Sequence, residues 1–339
     1  MSCTPSYLIY IENNQYKAKN GLTGNVDYSG SDASSVINSA INALTNGGKV
    51  FIKAGKYTIS TSINIATSFI DLEGEGKSTK LVPTDNIHVI KIIAPLTRVR
   101  ISNLYIEDTD FKQTSTAGIY LDQYNGQVNE CVLENISMYY TWGGIYTRDL
   151  ASNINYSIMA CSLRKIRINQ YRGIGLNLYS VFDTLLDDIL VTQYSASSNH
   201  AFYFRNMLDG GDFFMNLKAL GKQDTMGEGI HIEDLSHCWF THCYADKFKE
   251  GIVLLGTVDR VNFTQCGVRA CSDQGWYVSH SNGWVNILNI EARDCTYYGL
   301  RNFGKGGNVN IIGGDVRDNG GSINPASGDY ILRVKGYDI

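Results

Sequence analysis

The chain has 339 residues, 43% of them hydrophobic and only 18% charged, with a formal net charge of -4. This apolar content excludes a disordered chain, the mildly acidic balance excludes the basic domain typical of nucleic-acid binding, and no run reaches the length of a membrane-spanning helix. Twenty-two tyrosines and 34 glycines against four prolines point to many strands and turns, in two ordinary domains or one elongated one.

In chain order, MSCTPSYLIYIENN carries neither the basic start nor the apolar core of a signal peptide. YLIYIENNQYKAKNG reads as a hairpin turning at Asn13-Asn14, within an N-terminal extension over residues 1–30. Residues 31–46 predict a helix. Val36, Ile37, Ala40, Ile41 and Leu44 share one face, Ser31 or Asp32 offers an N-cap, and Asn46-Gly47-Gly48 stops it. VFIKAGKYTI opens a strand-rich region over 47–339, ending in the strand-like DYILRVKGYDI. Glu75-Gly76-Lys77-Ser78-Thr79 lacks the first glycine of a phosphate loop, since Asp71 stands there, and reads as a turn.

From Gly118 onward a short run recurs: GIYL, GIYT at Gly144, GIGL at Gly173, AFYF at Ala201, GIHI at Gly229, GIVL at Gly251, GWYV at Gly275 and GLRN at Gly299. Val261, Val285 and Val309 open a second column spaced by 24 residues. Helical repeats are longer and need periodic apolar helices, and leucine-rich repeats need an LxxLxL core. Short β-branched and aromatic segments punctuated by turn residues fit a parallel β-helix, each repeat one coil of short strands. Its length gives about 11–12 coils stacked ~4.8 Å apart, with the helix at 31–46 capping the open end.

Asp32-Ala33-Ser34-Ser35-Val36-Ile37, Ala40-Ile41, Gly47-Gly48-Lys49-Val50-Phe51-Ile52-Lys53-Ala54-Gly55-Lys56-Tyr57-Thr58-Ile59 and the later Gly74-Glu75-Gly76 resemble the opening segment of right-handed β-helix proteins of the pectate-lyase superfamily. The resemblance implies an all-β, right-handed parallel β-helix. It leaves the reaction open, because the superfamily holds lyases, hydrolases, epimerases, esterases and viral tailspikes. Asp187-Asp188 is present, but no NTD, GHG or RxK set accompanies it and no calcium-lyase motif is seen, so no catalytic role is carried over.

Strand alternation places Tyr120, Tyr146, Gly175, Tyr203, His231, Val253, Tyr277 and Arg301 on the outer side of the repeated strand. Four tyrosines and a histidine on one stripe suit stacking against sugar rings. A subunit interface and a plain surface are the other readings. Just past the strand runs a polar row: Asp122, Arg148, Asp149, Asn177, Arg205, Asn206, Glu233, Asp234, Ser279 and His280. From it, Asp149, Arg205, Glu233 and Asp234 are the weak catalytic candidates, carboxylates beside arginine being capable of acid–base work; the bland reading is a row of solvated ion pairs. Arg269, Arg293 and Arg317 repeat every 24 residues, as do Asn262, Asn286 and Asn310. They read as a weak strip for acidic ligands or as a ladder neutralised by Asp294 and Asp318. His237 and His242 face opposite sides if they share a strand. Cys271 and Cys295 lie one coil apart, as free thiols or a disulfide. The sequons Asn135, Asn155 and Asn262 matter only if the chain meets the glycosylation machinery.

Two functional classes follow. One is a glycan-recognising structural β-helix, such as a virion spike or tailspike-like appendage for host attachment, on an extracellular surface or virion and often a homotrimer. The other is a polysaccharide lyase or glycoside hydrolase acting on acidic glycans. The expected partners are a surface glycan and further copies of the chain, with no nucleic acid, membrane insertion, cofactor or metal.

Overall fold

The strands Tyr7–Glu12 and Gln15–Asn20 pair antiparallel and turn through Asn13 and Asn14, both at positive φ (52° and 58°). This is the turn that matches strand twist. A third strand, Val26–Gly30, which the sequence reading leaves unassigned, pairs with the second. The first strand also pairs parallel with Gly48–Ile52, so the hairpin extends the first coil. This structure is a computed structural model, and it describes residues 4–150, 154–194, 199–208, 210–222, 227–303, 306–326 and 329–335. Cys3 and the last four residues of the expected final strand lie outside the described residues; Tyr330–Lys335 forms that strand.

The one α-helix among the described residues, Ala33–Asn42, is capped by Asp32, whose side chain accepts the Ser35 N–H. Its buried Val36, Ile37, Ala40 and Ile41 lie against the first coil, at strands Gly55–Ile59 and Ile63–Ile65. An apolar stripe of this kind is stabilised mainly by tertiary burial.

Beyond the cap, each coil contributes one strand to an eleven-stranded parallel sheet, here sheet 1, running from Ile63–Ile65 to Gly321–Asn324. The chain then turns, in the middle coils through a short four-stranded sheet, and enters a long folded sheet, sheet 2. Sheet 2 bends at one residue per coil. Asn103, Asn135, Lys165, Asp188, Asn216, His242, Gln265 and Asn289 all have φ between 53° and 56°, a conformation that asparagine and aspartate tolerate. His237 has the same backbone state at an earlier turn (φ 55°). The two histidines are therefore corner residues, and the expectation of opposite faces of one strand does not hold.

The stack makes about ten turns, with eleven strands in sheet 1. The register also corrects one repeat. Ile145 pairs with Leu176 and Tyr146 with Asn177, so Gly175 rather than Gly173 is the repeat glycine, and Asn177 takes the outer position assigned to Gly175. The small-residue column has a steric cause. A Cβ at Gly229, Gly251 or Gly275 would stand 2.5–2.7 Å from the carbonyl oxygen of the next coil.

Inside, Ile119, Ile145, Leu176, Phe202, Ile230, Ile252, Trp276 and Leu300 form one fully buried column. A second column stacks Phe214, Phe240 and Phe263 at 4.3 and 4.8 Å, with Trp276 edge-on to Phe263 at 5.2 Å. The seven described cysteines are buried free thiols, Cys271 and Cys295 included. Asn262, Asn286 and Asn310 form a hydrogen-bonded ladder at 3.0 and 2.9 Å. Arg269 bonds Asp246 at 2.8 Å, and Arg293 and Arg317 bond Asp315 at 3.1 and 2.7 Å. The arginine strip is thus neutralised, but by Asp246 and Asp315. Asp294 and Asp318 are positive-φ corner residues instead.

The outer face of sheet 2 changes along its length. Its first coils carry an ion-pair network of Lys49, Asp71, Glu73, Arg100 and Glu134. Its later coils expose uncharged Phe213, Trp239, Leu288, Ile312 and Tyr330. Among the described residues no helix is long and apolar enough to cross a membrane.

Candidate functional site

The outer column of sheet 1 reads Lys91, Tyr120, Tyr146, Asn177, Tyr203, His231, Val253, Tyr277, Arg301. The expected stripe is therefore one physical ladder, with Asn177 added. It is not uniformly open. Tyr146 lies over Gly143, where a Cβ would stand 2.2 Å from the ring, and its hydroxyl accepts the Ile174 N–H at 3.0 Å. Tyr120 stacks on His88 at 4.2 Å. The Ala117 N–H donates to Nδ1 of His88, and burial, then the charge of Lys91, pushes that imidazole down to about 4. Beside it Asp122, 5% exposed, accepts from Lys91 at 2.9 Å and Arg148 at 2.8 Å. Burial raises its carboxyl, but the two cations override this and hold it below the usual range.

In the next coils the side chains converge. Tyr203 lies 4.6 Å from His231 and 5.3 Å from His200, ring to ring, and the two imidazoles are 5.0 Å apart. His231 Nδ1 donates a short hydrogen bond to Glu228 Oε2, and His200 Nδ1 stands 3.4 Å from the same oxygen. On the other side of the ring, His231 Nε2 is 3.7 Å from Glu233 Oε2. That oxygen also accepts from the Tyr203 hydroxyl at 3.1 Å and pairs with Arg205 at 3.3 Å. His231 is only 6% exposed, so it is not the open stripe residue that alternation predicts. The rings of Tyr203 and His200 and the two carboxylates enclose it.

Burial pushes the Glu228 carboxyl upward, but the hydrogen bond from His231 and the charges of His231, His200 and Lys249 hold it below the usual range. Burial lowers His200 against the opposing pull of Glu228. Burial also raises the Tyr203 phenol, with Tyr179 and Glu233 adding to it. The result is an imidazole set between two carboxylates, hydrogen-bonded to one and 3.7 Å from the other, with a tyrosine hydroxyl and a guanidinium beside the second. Groups of this kind take up and release protons, and the arginine can hold an anionic group.

Of the four weak catalytic candidates, the structure brings Arg205 and Glu233 into this cluster. Asp234 is a positive-φ corner residue whose carboxylate accepts the Thr257 N–H at 2.9 Å. Asp149 is exposed near Tyr179. Tyr277 lies farther along the stripe, 4.7 Å from Phe303, on which Arg301 also stacks at 4.3 Å.

Sequence reasoning missed His200 and Glu228. Both immediately precede the repeated small residue, at Ala201 and Gly229, and the next coils carry Glu250 and Gln274 at that place. This polar column was the available signal. A cleft of about 510 Å³ beside the N-terminal hairpin, lined by Leu8, Lys19, Lys49, Phe51 and Lys53 among others, shares no residue with the cluster.

No family model matches the chain, and no curated protein sequence matches it. Solved structures do. The enzymatically active domain of bacteriophage CBA120 tailspike protein 2 matches with a TM-score of 0.62 at 12% identity over 86% of this chain, which spans 49% of that domain. The catalytic domain of a GH87 alpha-1,3-glucanase in complex with tetrasaccharides matches at 0.60 and 14% identity, over 91% of this chain and 66% of that one. The mannuronan C-5 epimerase AlgE6 A-module of Azotobacter vinelandii matches at 0.55 and 12% identity, over 90% and 94%. At these identities the likeness is one of fold, and the fold of this chain is the right-handed parallel β-helix of the pectate-lyase type.

Proposed function

We propose that the protein is a glycan-recognising β-helix that lays a polysaccharide along sheet 1, across Asn177, Tyr203, His231 and Tyr277. One observation carries this reading: the polar cluster of Tyr203, His231, Glu233 and Arg205 stands on the outer stripe of sheet 1, on a fold shared with polysaccharide-acting proteins. Tyrosine faces suit the C–H side of sugar rings, and Arg205 suits an acidic sugar. The buried amide oxygen of Asn177 has no protein partner. We place the protein on a cell or virion surface, in host attachment, with copies packed as a trimer through the part of sheet 2 that exposes Phe213, Trp239, Leu288 and Ile312.

The experiment is affinity electrophoresis of wild type and Tyr203→Ala through gels holding acidic and neutral polysaccharides. Retardation by one glycan, lost in the variant at unchanged melting temperature, supports the reading. Equal mobility of both proteins in every gel overturns it. Light scattering gives the oligomer.

A second reading, cleavage of the bound glycan, is favoured by Glu228 and Glu233 flanking His231 on both ring nitrogens. Unsaturated ends seen by ultraviolet absorbance would mark a lyase, and new reducing ends a hydrolase.

A further inference from the structure

We infer that His200, Glu228 and His231 form a binding site for a first-row divalent metal ion of the zinc class. Their donor atoms lie within 4.8 Å of one another. His200 Nδ1 and His231 Nδ1 both approach the same carboxylate oxygen, the first at 3.4 Å. A tetrahedral ion with metal–ligand bonds of about 2.0–2.1 Å sets its ligands about 3.3 Å apart. Small side-chain adjustments around Glu228 therefore bring the three donors onto one ion. Two imidazoles with one carboxylate suit zinc and its first-row neighbours, whereas calcium and magnesium take oxygen donors.

An independent observation comes from the ring atoms. His200 Nδ1 is buried without a hydrogen-bond partner, although it points at Glu228. His231, 6% exposed, has the same deficit at Nε2, and that nitrogen faces Glu233 Oε2 at 3.7 Å. A ligating histidine ordinarily offers its second ring nitrogen to a carboxylate, which fixes its tautomer. Glu233 stands in that place, itself held by the Tyr203 hydroxyl and Arg205. Three protein donors leave a fourth position for a water or sugar oxygen. That role rests on the glycan reading; the ion site does not.

The test uses chelator-treated full-length protein titrated with cobalt(II) and zinc(II), with no glycan present. The expected result is one equivalent bound, visible cobalt absorption of a tetrahedral site, and a rise in melting temperature. His200→Gln and Glu228→Gln abolish this uptake, and Glu233→Gln weakens it about tenfold, as outer-shell changes do. Circular dichroism and melting without metal show that each variant is folded. Absence of uptake by wild type overturns the site. So does uptake that survives both His200→Gln and Glu228→Gln, which would place the ion elsewhere. Glycan retardation in chelator-treated gels is read separately and stands or falls on its own.

Discussion

Two buried aspartates have opposite fates in the two halves of the coil stack. Asp122, in the first half, is clasped by Lys91 and Arg148. Asp212, in the second, is fully buried and, among the described residues, is met by the Thr184 N–H at 2.8 Å and the Cys238 thiol at 3.9 Å. Burial pushes its carboxyl up to about 8. The tyrosines divide in the same way: the Tyr146 hydroxyl is taken up by the Ile174 N–H, whereas Tyr203 joins two histidines that each keep one buried ring nitrogen without a hydrogen-bond partner. The difference teaches that one outer stripe holds two kinds of polar group. Those satisfied by the protein stabilise the coils, and those left with spare bonding capacity are where a ligand gains most.

The largest expected effect is on pH dependence. Asp212 binds its proton far more tightly folded than unfolded, so its contribution is greatest below the unfolded value near 4 and falls as pH rises toward 8. Asp212→Asn should flatten that decline, by a few kcal/mol at pH 8 on the order that linkage allows, in melts across this range. Asp122 has the opposite sign, its stabilisation being lost as pH falls below its depressed value. Asp122→Ala strands two cations that are one-third exposed and should cost about 2 kcal/mol in denaturant melts. Tyr203→Ala should weaken glycan binding about tenfold, ~1.4 kcal/mol, with little change in melting. Smallest is Tyr146→Phe, which removes the acceptor of the Ile174 N–H and should cost about 1 kcal/mol while leaving binding untouched. A loss of binding in Tyr146→Phe equal to that of Tyr203→Ala would erase the distinction between the halves.

The fold was largely legible because coil stacking writes itself into sequence. Small residues recur where a Cβ would strike the neighbouring carbonyl, and apolar alternation marks the interior. The capping helix and the hairpin at Asn13-Asn14 follow from local propensity. The slip at Gly173 shows the limit, since two plausible glycines precede Asn177 and only pairing with Tyr146 decides between them. The candidate site was half legible. Tyr203, His231, Arg205 and Glu233 lie in the columns that alternation marks. His200 precedes its strand and Glu228 opens its own, and alternation read from the repeat glycine inward says nothing about side chains at that end. The same ignorance of corners misassigned Asp294 and Asp318.

The buried free thiols have a use beyond packing. Cys131 and Cys161 sit in early coils and Cys238, Cys243, Cys266, Cys271 and Cys295 in later ones. A solenoid whose coils touch only their neighbours can open in sections. Each thiol then becomes alkylated only when its own section opens, so mapping the labelled positions against time would show from which end the stack frays.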